Sequence, residues 1–473
     1  MPRGVLLVAA ATVVLLLLVA PRYGWHRDEL YFLEAGRHLA WGYVDQPPFT
    51  PLVARLADEI APGNLVVLRL VPAIATGVTV VVGALLVREL GGDGRRQLLG
   101  AALVATGAFT LGVGHLLATP TFDLLVWSAV LWLSARLLRT GDPVTWLLIG
   151  AVAGVGLLNK HLVVLLAVAL AVGIVAERRW SLLRSWWLPA GIALAALIAA
   201  PHLAWQAAND WPQFDMARAL EERIGGENRA LLLPMQLLLL GPLYTAVLVR
   251  GARWLAGDPA GRRFRPLLWA WPAGLVLTFI TGGRPYYVLP LTVAVALAGV
   301  AATGLRWRTV AVTGAIAVPI ALPILPVAAV GFIATLNEAP AETIGWPELV
   351  DQVAEVVATL PPDERENVIL LANSYGEAGA IDRFGPARGL PPASSPHNSY
   401  ADFRRPTDDT ATVVAVRFAP DGRLARHFDE CTQVATVDNG RDIDNEAQGQ
   451  PIVVCRGLRG TWAEVWEQLR FVS

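Results

Sequence analysis

Apolar runs fill the first two thirds of the chain and give way near residue 334 to charged, proline-rich and amphipathic segments. Runs near twenty residues with almost no charge are long enough to cross a bilayer as helices. About eleven occur, roughly at 5–20, 64–88, 97–117, 121–138, 144–159, 161–176, 187–206, 230–250, 266–282, 286–304 and 309–333. The first follows Arg3 and ends in Leu18-Val19-Ala20-Pro21-Arg22, a poor cleavage site, so a retained helix is expected rather than a signal peptide.

Shorter patterns lie between the runs. Thr50-Pro51 reads as an N-cap followed by proline at the first helical position. Leu52, Leu56 and Ile60, with Val53 and Ala57, then recur at helical spacing against Arg55, Asp58 and Glu59. This predicts an amphipathic helix over about 51–61 lying on the outer leaflet, preceded by a second juxtamembrane helix over about 29–41. The mixed stretch from Gln206 to Arg229 reads as an outward loop, either a cover hinged at Gly225-Gly226 or an interfacial loop anchored by tryptophan.

In the tail, helices at 346–359 and 375–384 alternate with strand-like segments at 367–371, 412–418, 432–437 and 451–455. The expected fold class is a polytopic α-helical membrane protein of about eleven spans with outer juxtamembrane helices, followed by a small α/β extracytoplasmic domain. The expected boundary separates 1–336 from 337–473.

Composition agrees with this reading. With 55% hydrophobic and 16% charged residues the chain is no ordinary soluble enzyme; the net charge of −1 says nothing about nucleic acid, since the charges alternate in sign between loops and form no basic stripe, and no nucleic-acid partner is expected. Arginine sets the orientation. Alternate loops carry Arg3; Arg88, Arg95 and Arg96; Arg139; Arg178, Arg179 and Arg184; Arg250 to Arg265; and Arg306 and Arg308. By the positive-inside rule these face the cytoplasm, with the N-terminus, and the tail lies outside a bacterial inner or plasma membrane.

The ionisable residues that look out of place gather on the other side. Asp28, Glu29, Asp45, Asp123, Lys160, His202 and Arg284 all fall near the outer ends of spans. A charge there either snorkels to the interface or is paired in a wet cavity, and Lys160 is the single lysine of the chain. Trp25, Tyr31, Tyr43, Trp205, Tyr286 and Tyr287 lie alongside. Cations suit a phosphate, ring faces a sugar or isoprenoid, and carboxylates a general base acting on an incoming hydroxyl or amine. The densest stretch, residues 25–48, reads either as the centre of such chemistry or as a surface loop with interfacial aromatics. In the tail, Cys431 and Cys455 are either a disulfide or two buried thiols. The loops Asn373 to Gly379 and Pro396 to Tyr400 either touch an acceptor or serve as turns and caps.

Trp25-His26-Arg27-Asp28-Glu29, Gly42-Tyr43-Val44-Asp45-Gln46-Pro47-Pro48, Thr119-Pro120-Thr121-Phe122-Asp123, Leu158-Asn159-Lys160 and Arg284-Pro285-Tyr286-Tyr287 resemble the spaced motifs of polyprenyl-phosphate-sugar-dependent glycosyltransferases of the GT-C fold. The similarity is to the protein O-mannosyltransferase (family 39) group, including the bacterial aminoarabinose transferases acting on lipid A. It implies inverting transfer from a polyprenyl-phosphate sugar to a glycan, lipid or protein acceptor. Within it, Asp28 matches the catalytic carboxylate with Glu29 beside it, and Asp123 the second loop acid. Lys160 and Arg284, with Tyr286 and Tyr287, match the place of the donor phosphate, while Trp25, Tyr43, Asp45, Gln46 and His202 are assigned to the substrate cavity. Gln46 stands where the family's Asp-His-Pro-Pro pattern has histidine, so no proton transfer is assigned to it. The resemblance leaves a divalent metal open. The rival reading is a transporter or flippase for a lipid-linked or anionic solute, which would favour midplane charges and repeated halves.

Overall fold

The computed structural model describes residues 1–473. The chain divides into two units: Met1–Ala20, Gln46–Thr50 and Arg69–Leu322 form one, and Pro21–Asp45, Pro51–Leu68 and Pro323–Ser473 the other. This division departs from the expected cut at 336/337. The juxtamembrane segments pack with the tail, and the apolar bundle ends at Leu322, where Pro323 and Pro326 follow in quick succession.

The first unit is an all-helical, multi-pass membrane bundle. Leu65–Glu89, Thr119–Thr140, Trp187–Ala208 and Pro285–Thr303 are each long and apolar enough to cross a bilayer. Two further candidates are bent pairs, Gly94–Ala105 with Ala108–His115 at 60° and Pro212–Leu240 with Pro242–Gly257 at 84°. Arg3–Val19, Thr145–Leu157, Val163–Ala176 and Trp307–Ala321 are shorter apolar helices. Uninterrupted spans are therefore fewer than the eleven apolar runs, because breaks fall inside several of them. At the first bend the Thr106 hydroxyl donates to the Ala102 carbonyl at 2.7 Å, which competes with the helix ladder, and Gly107 caps the next helix. At the second, Gly241 takes a left-handed φ of 104° and Pro242 cannot continue the hydrogen bonding. The run expected at 309–333 stops at Ala321, with only short helices beyond the prolines.

One expectation is overturned outright. The stretch 206–229 is not a hinged loop: a helix starts at Pro212 and runs without interruption through Gly225-Gly226 to Leu240. Proline at the first helical position starts it, and good helix formers across Met216-Ala217-Arg218-Ala219-Leu220-Glu221-Glu222-Arg223 carry it past the glycines. The Arg229–Glu221 ion pair at 2.6 Å bridges the glycine pair.

The second unit carries a five-stranded sheet in the order β2-β1-β3-β5-β4. Its strands are β1 (Ile369–Ala372), β2 (Ala393–Ser394), β3 (Val413–Val416), β4 (Phe428–Thr436) and β5 (Pro451–Leu458). β1, β2 and β3 are parallel, with β1 and β3 reading as unbroken apolar runs that are buried in the sheet, whereas β5 and β4 are antiparallel additions. Trp462, Val465, Trp466 and Leu469 of the last helix pack with Val413, Ala415 and Val453 to form its core. The juxtamembrane helices are Arg27–Arg37 and Phe49–Ile60; the latter leaves Leu52, Leu56 and Ile60 exposed in one stripe.

Cys431 and Cys455 face each other across β4 and β5 and form a disulfide closing a separation of 24 residues. A loop of that length stabilises the sheet by about 3 kcal/mol. The Cys431→Ser/Cys455→Ser protein is therefore expected to melt lower than the wild type and to lose its sensitivity to reductant. Identical melting of the two proteins under oxidising conditions would show that the cross-link contributes nothing.

Candidate functional site

The carboxyl ends of parallel strands leave backbone groups and loops open to a ligand. In the second unit, β1 leads into Asn373-Ser374-Tyr375, β2 into Pro396 to Tyr400, and β3 into Arg417. Asn398 and Arg417 are held at left-handed φ values of 48° and 63°, a conformation that non-glycine residues adopt at some cost. This edge meets the start of the helix Arg27–Arg37. There His26 and Glu29 make a reciprocal capping box: the buried Glu29 carboxylate accepts from the His26 backbone N–H at 2.9 Å. Glu29 is thus engaged as a helix cap, and Asp28 is left as the acid at the surface of the turn.

Asp28 accepts a hydrogen bond from the Tyr375 hydroxyl at 2.9 Å and lies 3.7 Å from Arg27. Asp45 accepts from Tyr31 at 2.8 Å, and the Val44 N–H donates to Ser399 at 2.8 Å. The two tyrosines stack with ring centres 4.7 Å apart, and Tyr375 continues onto His397 at 4.8 Å, which stacks on Phe471 at 4.5 Å. One stack of rings thus holds the donors to both acids. Burial pushes Asp45 up to about 6; the Tyr31 hydrogen bond opposes the rise and the charge of Asp28 adds to it. Burial and the adjacent Asp28 keep the Tyr375 phenol well above its ordinary range, so it remains a donor. Asp28 keeps a side chain 33% exposed, and Asp45 is likewise half-buried.

Behind this pair lies a half-buried ion network. Arg27 pairs with Glu446, and Arg417 bonds Glu446 at 2.9 Å and Glu377 at 3.2 Å. Burial works against ionisation of Glu446, but Arg27 and Arg417 outweigh it and hold the carboxyl at about 2. The network fixes the helix start to the sheet edge through residues far apart in sequence.

The first unit gathers the remaining motifs. The Asn159 carboxamide accepts from the Thr50 hydroxyl at 3.0 Å and donates to the Thr119 carbonyl at 3.0 Å, while the Phe49 N–H donates to the Leu158 carbonyl at 2.9 Å. Phe49 meets Phe122 edge to face at 5.0 Å. Gln46 to Thr50, Thr119 to Asp123 and Leu158 to Lys160 are therefore tied at one place. Lys160 Nζ lies 4.6 Å from the ring centre of Tyr287 and 5.4 Å from that of Tyr286, which follow Arg284 and Pro285. Asp123, in the second turn of Thr119–Thr140, interacts with Lys160 and keeps a buried Oδ1 without a hydrogen-bond partner. No three His, Cys, Asp or Glu side chains are grouped to hold a metal ion.

Residues 45–205 match the family model of the dolichyl-phosphate-mannose-protein mannosyltransferases. Comparison with curated proteins returned no match. Among solved structures, ArnT from Cupriavidus metallidurans bound to undecaprenyl phosphate aligns with a TM-score of 0.61 at 16% identity, over 96% of this chain and 98% of that one. The apo form of the same protein gives 0.60 at 16% identity, over 95% and 97%. The chain has the ArnT fold.

Within this ArnT-like fold, Asp28 and Asp45 belong to the second unit, and Gln46, Asp123, Lys160, His202, Arg284, Tyr286 and Tyr287 to the first. Two residues assigned to a substrate cavity have other duties. Trp25 is buried with the Arg383 guanidinium 5.4 Å over its ring, and the Tyr43 hydroxyl donates to Ala35 O at 2.9 Å and accepts from Ala40 N–H at 3.2 Å, closing the turn between them. Gln46 is buried with its Nε2 unpartnered, and His202 is buried against His161. Sequence reasoning missed Tyr375 as the partner of Asp28, Arg417 as an anchor, and Arg69. Arg69 is a buried guanidinium that bonds the Ala20 carbonyl at 2.6 Å and His115 at 3.2 Å. An arginine well inside the apolar run 64–88 was the available signal for Arg69; the loop Asn373 to Gly379 was already a candidate, but nothing local pairs its Tyr375 with Asp28 or distinguishes Arg417 from a turn residue.

Proposed function

We propose that the chain is a membrane glycosyltransferase that moves a sugar from a polyprenyl-phosphate donor to an extracytoplasmic acceptor with inversion, using Asp28 as the base. The observation that carries this reading is the acid pair: Asp28 and Asp45, each fixed by a tyrosine donor, stand at the carboxyl edge of a sheet in a chain with the ArnT fold. The family match across 45–205 and the ArnT structure bound to undecaprenyl phosphate support a lipid-linked donor.

In this mechanism Asp28 takes the proton of the acceptor hydroxyl or amine. The acceptor atom bonds to the anomeric carbon as the bond from that carbon to the phosphate oxygen breaks, and the polyprenyl phosphate departs with the electron pair. Lys160 and Arg284 neutralise the departing phosphate, Tyr286 and Tyr287 hold Lys160 in place, and Asp123 orients it. The cytoplasmic N-terminus and outward tail expected from the arginine pattern belong to the same reading.

Purified protein incubated with polyprenyl-phosphate sugars and cell-envelope acceptors should release polyprenyl phosphate, and a deletion strain should lack one envelope glycan by mass spectrometry. An unchanged envelope together with no turnover in vitro would refute the proposal. Tyr375→Phe keeps the ring stack and removes only the hydroxyl. It is expected to lower kcat about ten- to a hundredfold, the scale of one hydrogen bond to a charged group, with KM and melting temperature little changed. Wild-type kcat in that variant would leave Tyr375 as a packing residue.

A further inference from the structure

We infer that His161, His202 and Gln206 form a subsite that recognises the hydroxyl groups of an uncharged sugar. The inference rests on the glycosyltransferase reading and narrows its substrate class. His202 lies in the helix Trp187–Ala208, fully buried, with its Nε2 2.9 Å from the Nε2 of His161 in the turn before Val163–Ala176. At that separation the two rings share one proton, so one Nε2 donates, the other accepts, and at least one imidazole is neutral. One helical turn beyond His202, on the same face, stands Gln206. It is 1% exposed, and both its Oε1 and its Nε2 are buried without a hydrogen-bond partner.

A carboxamide with its donor and acceptor both unused inside an apolar helix is destabilising for the fold, since two polar groups are desolvated for nothing in return. Bulk packing does not explain it: a leucine would fill the place without that penalty. The chemistry of the group fits a ligand instead. A carboxamide beside an imidazole pair offers alternating donors and acceptors, which is what adjacent sugar hydroxyls offer in return. The carboxamide and the neutral ring bring no formal charge. Neither supplies a carboxylate to pair with the ammonium of a cationic amino sugar, so that group would be desolvated without a partner where hydroxyls find one.

The test uses the full chain in nanodiscs and four probes: bare undecaprenyl phosphate, and undecaprenyl phosphate carrying mannose, arabinose or 4-aminoarabinose. Wild type is expected to bind at least one neutral glycolipid about tenfold or more tighter than the bare lipid, and tighter than the amino-sugar lipid. Gln206→Leu should erase that increment, leave the affinity for bare undecaprenyl phosphate unchanged and melt no lower than wild type; His161→Phe should act in the same direction. Equal losses on bare and sugar-bearing lipids, or no loss on either, would overturn the subsite while leaving the glycosyltransferase reading intact. Amino-sugar lipid bound as tightly as neutral lipid would overturn its selectivity. Wild type that binds none of the four probes would bring down the underlying reading, and the subsite with it.

Discussion

Asp28→Asn is expected to lower sugar transfer by about two to four orders of magnitude, the range that a positioned general base supplies. Asparagine has the shape of aspartate, and its Oδ1 can still accept from Tyr375, so the 2.9 Å contact and the ring stack are retained. The variant loses basicity and little else. Removing one acid from the first turn of a helix costs about 0.3–1 kcal/mol, too little to unfold the chain or to account for a loss of that size. The measurement is initial rate against donor concentration, with a melting curve alongside. A fall in kcat at constant melting temperature and near-constant KM is the expected pattern. Turnover equal to wild type in well-folded Asp28→Asn protein would remove Asp28 from the chemistry. Asp45→Asn gives an internal comparison: Asp28 takes the proton in the proposed mechanism, so Asp45→Asn is expected to lose less turnover than Asp28→Asn, although burial raises Asp45 to about 6.

The second large effect concerns Lys160. Lys160→Ala is expected to weaken binding of undecaprenyl phosphate about ten- to a hundredfold, the scale of a charge-assisted contact to phosphate, and Lys160→Arg to weaken it less because the cation remains. The alanine variant also strips the buried Asp123 of the cation with which it interacts, so part of any loss would come from an uncompensated carboxylate. Pairing Lys160→Ala with Asp123→Asn separates the two effects. The double variant should recover melting temperature and still bind the lipid phosphate weakly. Equal affinity in wild type, Lys160→Ala and Lys160→Arg would take Lys160 out of the donor site. The geometry gives a reason for a lysine here: its Nζ is a compact charge between two tyrosine faces that already meet edge to face at 5.0 Å.

Much of the architecture was legible without coordinates. Apolar runs near twenty residues announce membrane helices because the bilayer demands internal hydrogen bonding over a set length. The juxtamembrane helix at 49–60, the tail helices at 346–359 and 375–384, and four of the five strands follow from local periodicity; the helix at 27–37 has no clean apolar stripe, and the two-residue strand Ala393–Ser394 lies outside the expected segments. Breaks were harder to see. Thr106, Gly241-Pro242 and the prolines after Ala321 interrupt apolar runs that hydropathy counts as continuous, and helix propensity across 216–223 turned an expected loop into helix.

By itself the sequence determined which chemistry-bearing residues exist and that they cluster by motif, since charge and hydropathy are local properties. It also placed two cysteines in the tail and an Asp-Glu pair after the first apolar run. Only the tertiary structure decided their duties: Glu29 became a cap because His26 stands three residues before it, and Asp28 acquired Tyr375 because β1 delivers that loop to the helix start. The same holds for Asn159, which bonds Thr50, 109 residues before it, and Thr119, 40 residues before it. Hydrogen bonds and ring stacks between distant segments depend on how helices and strands pack, and no periodicity within a segment encodes a partner hundreds of residues away.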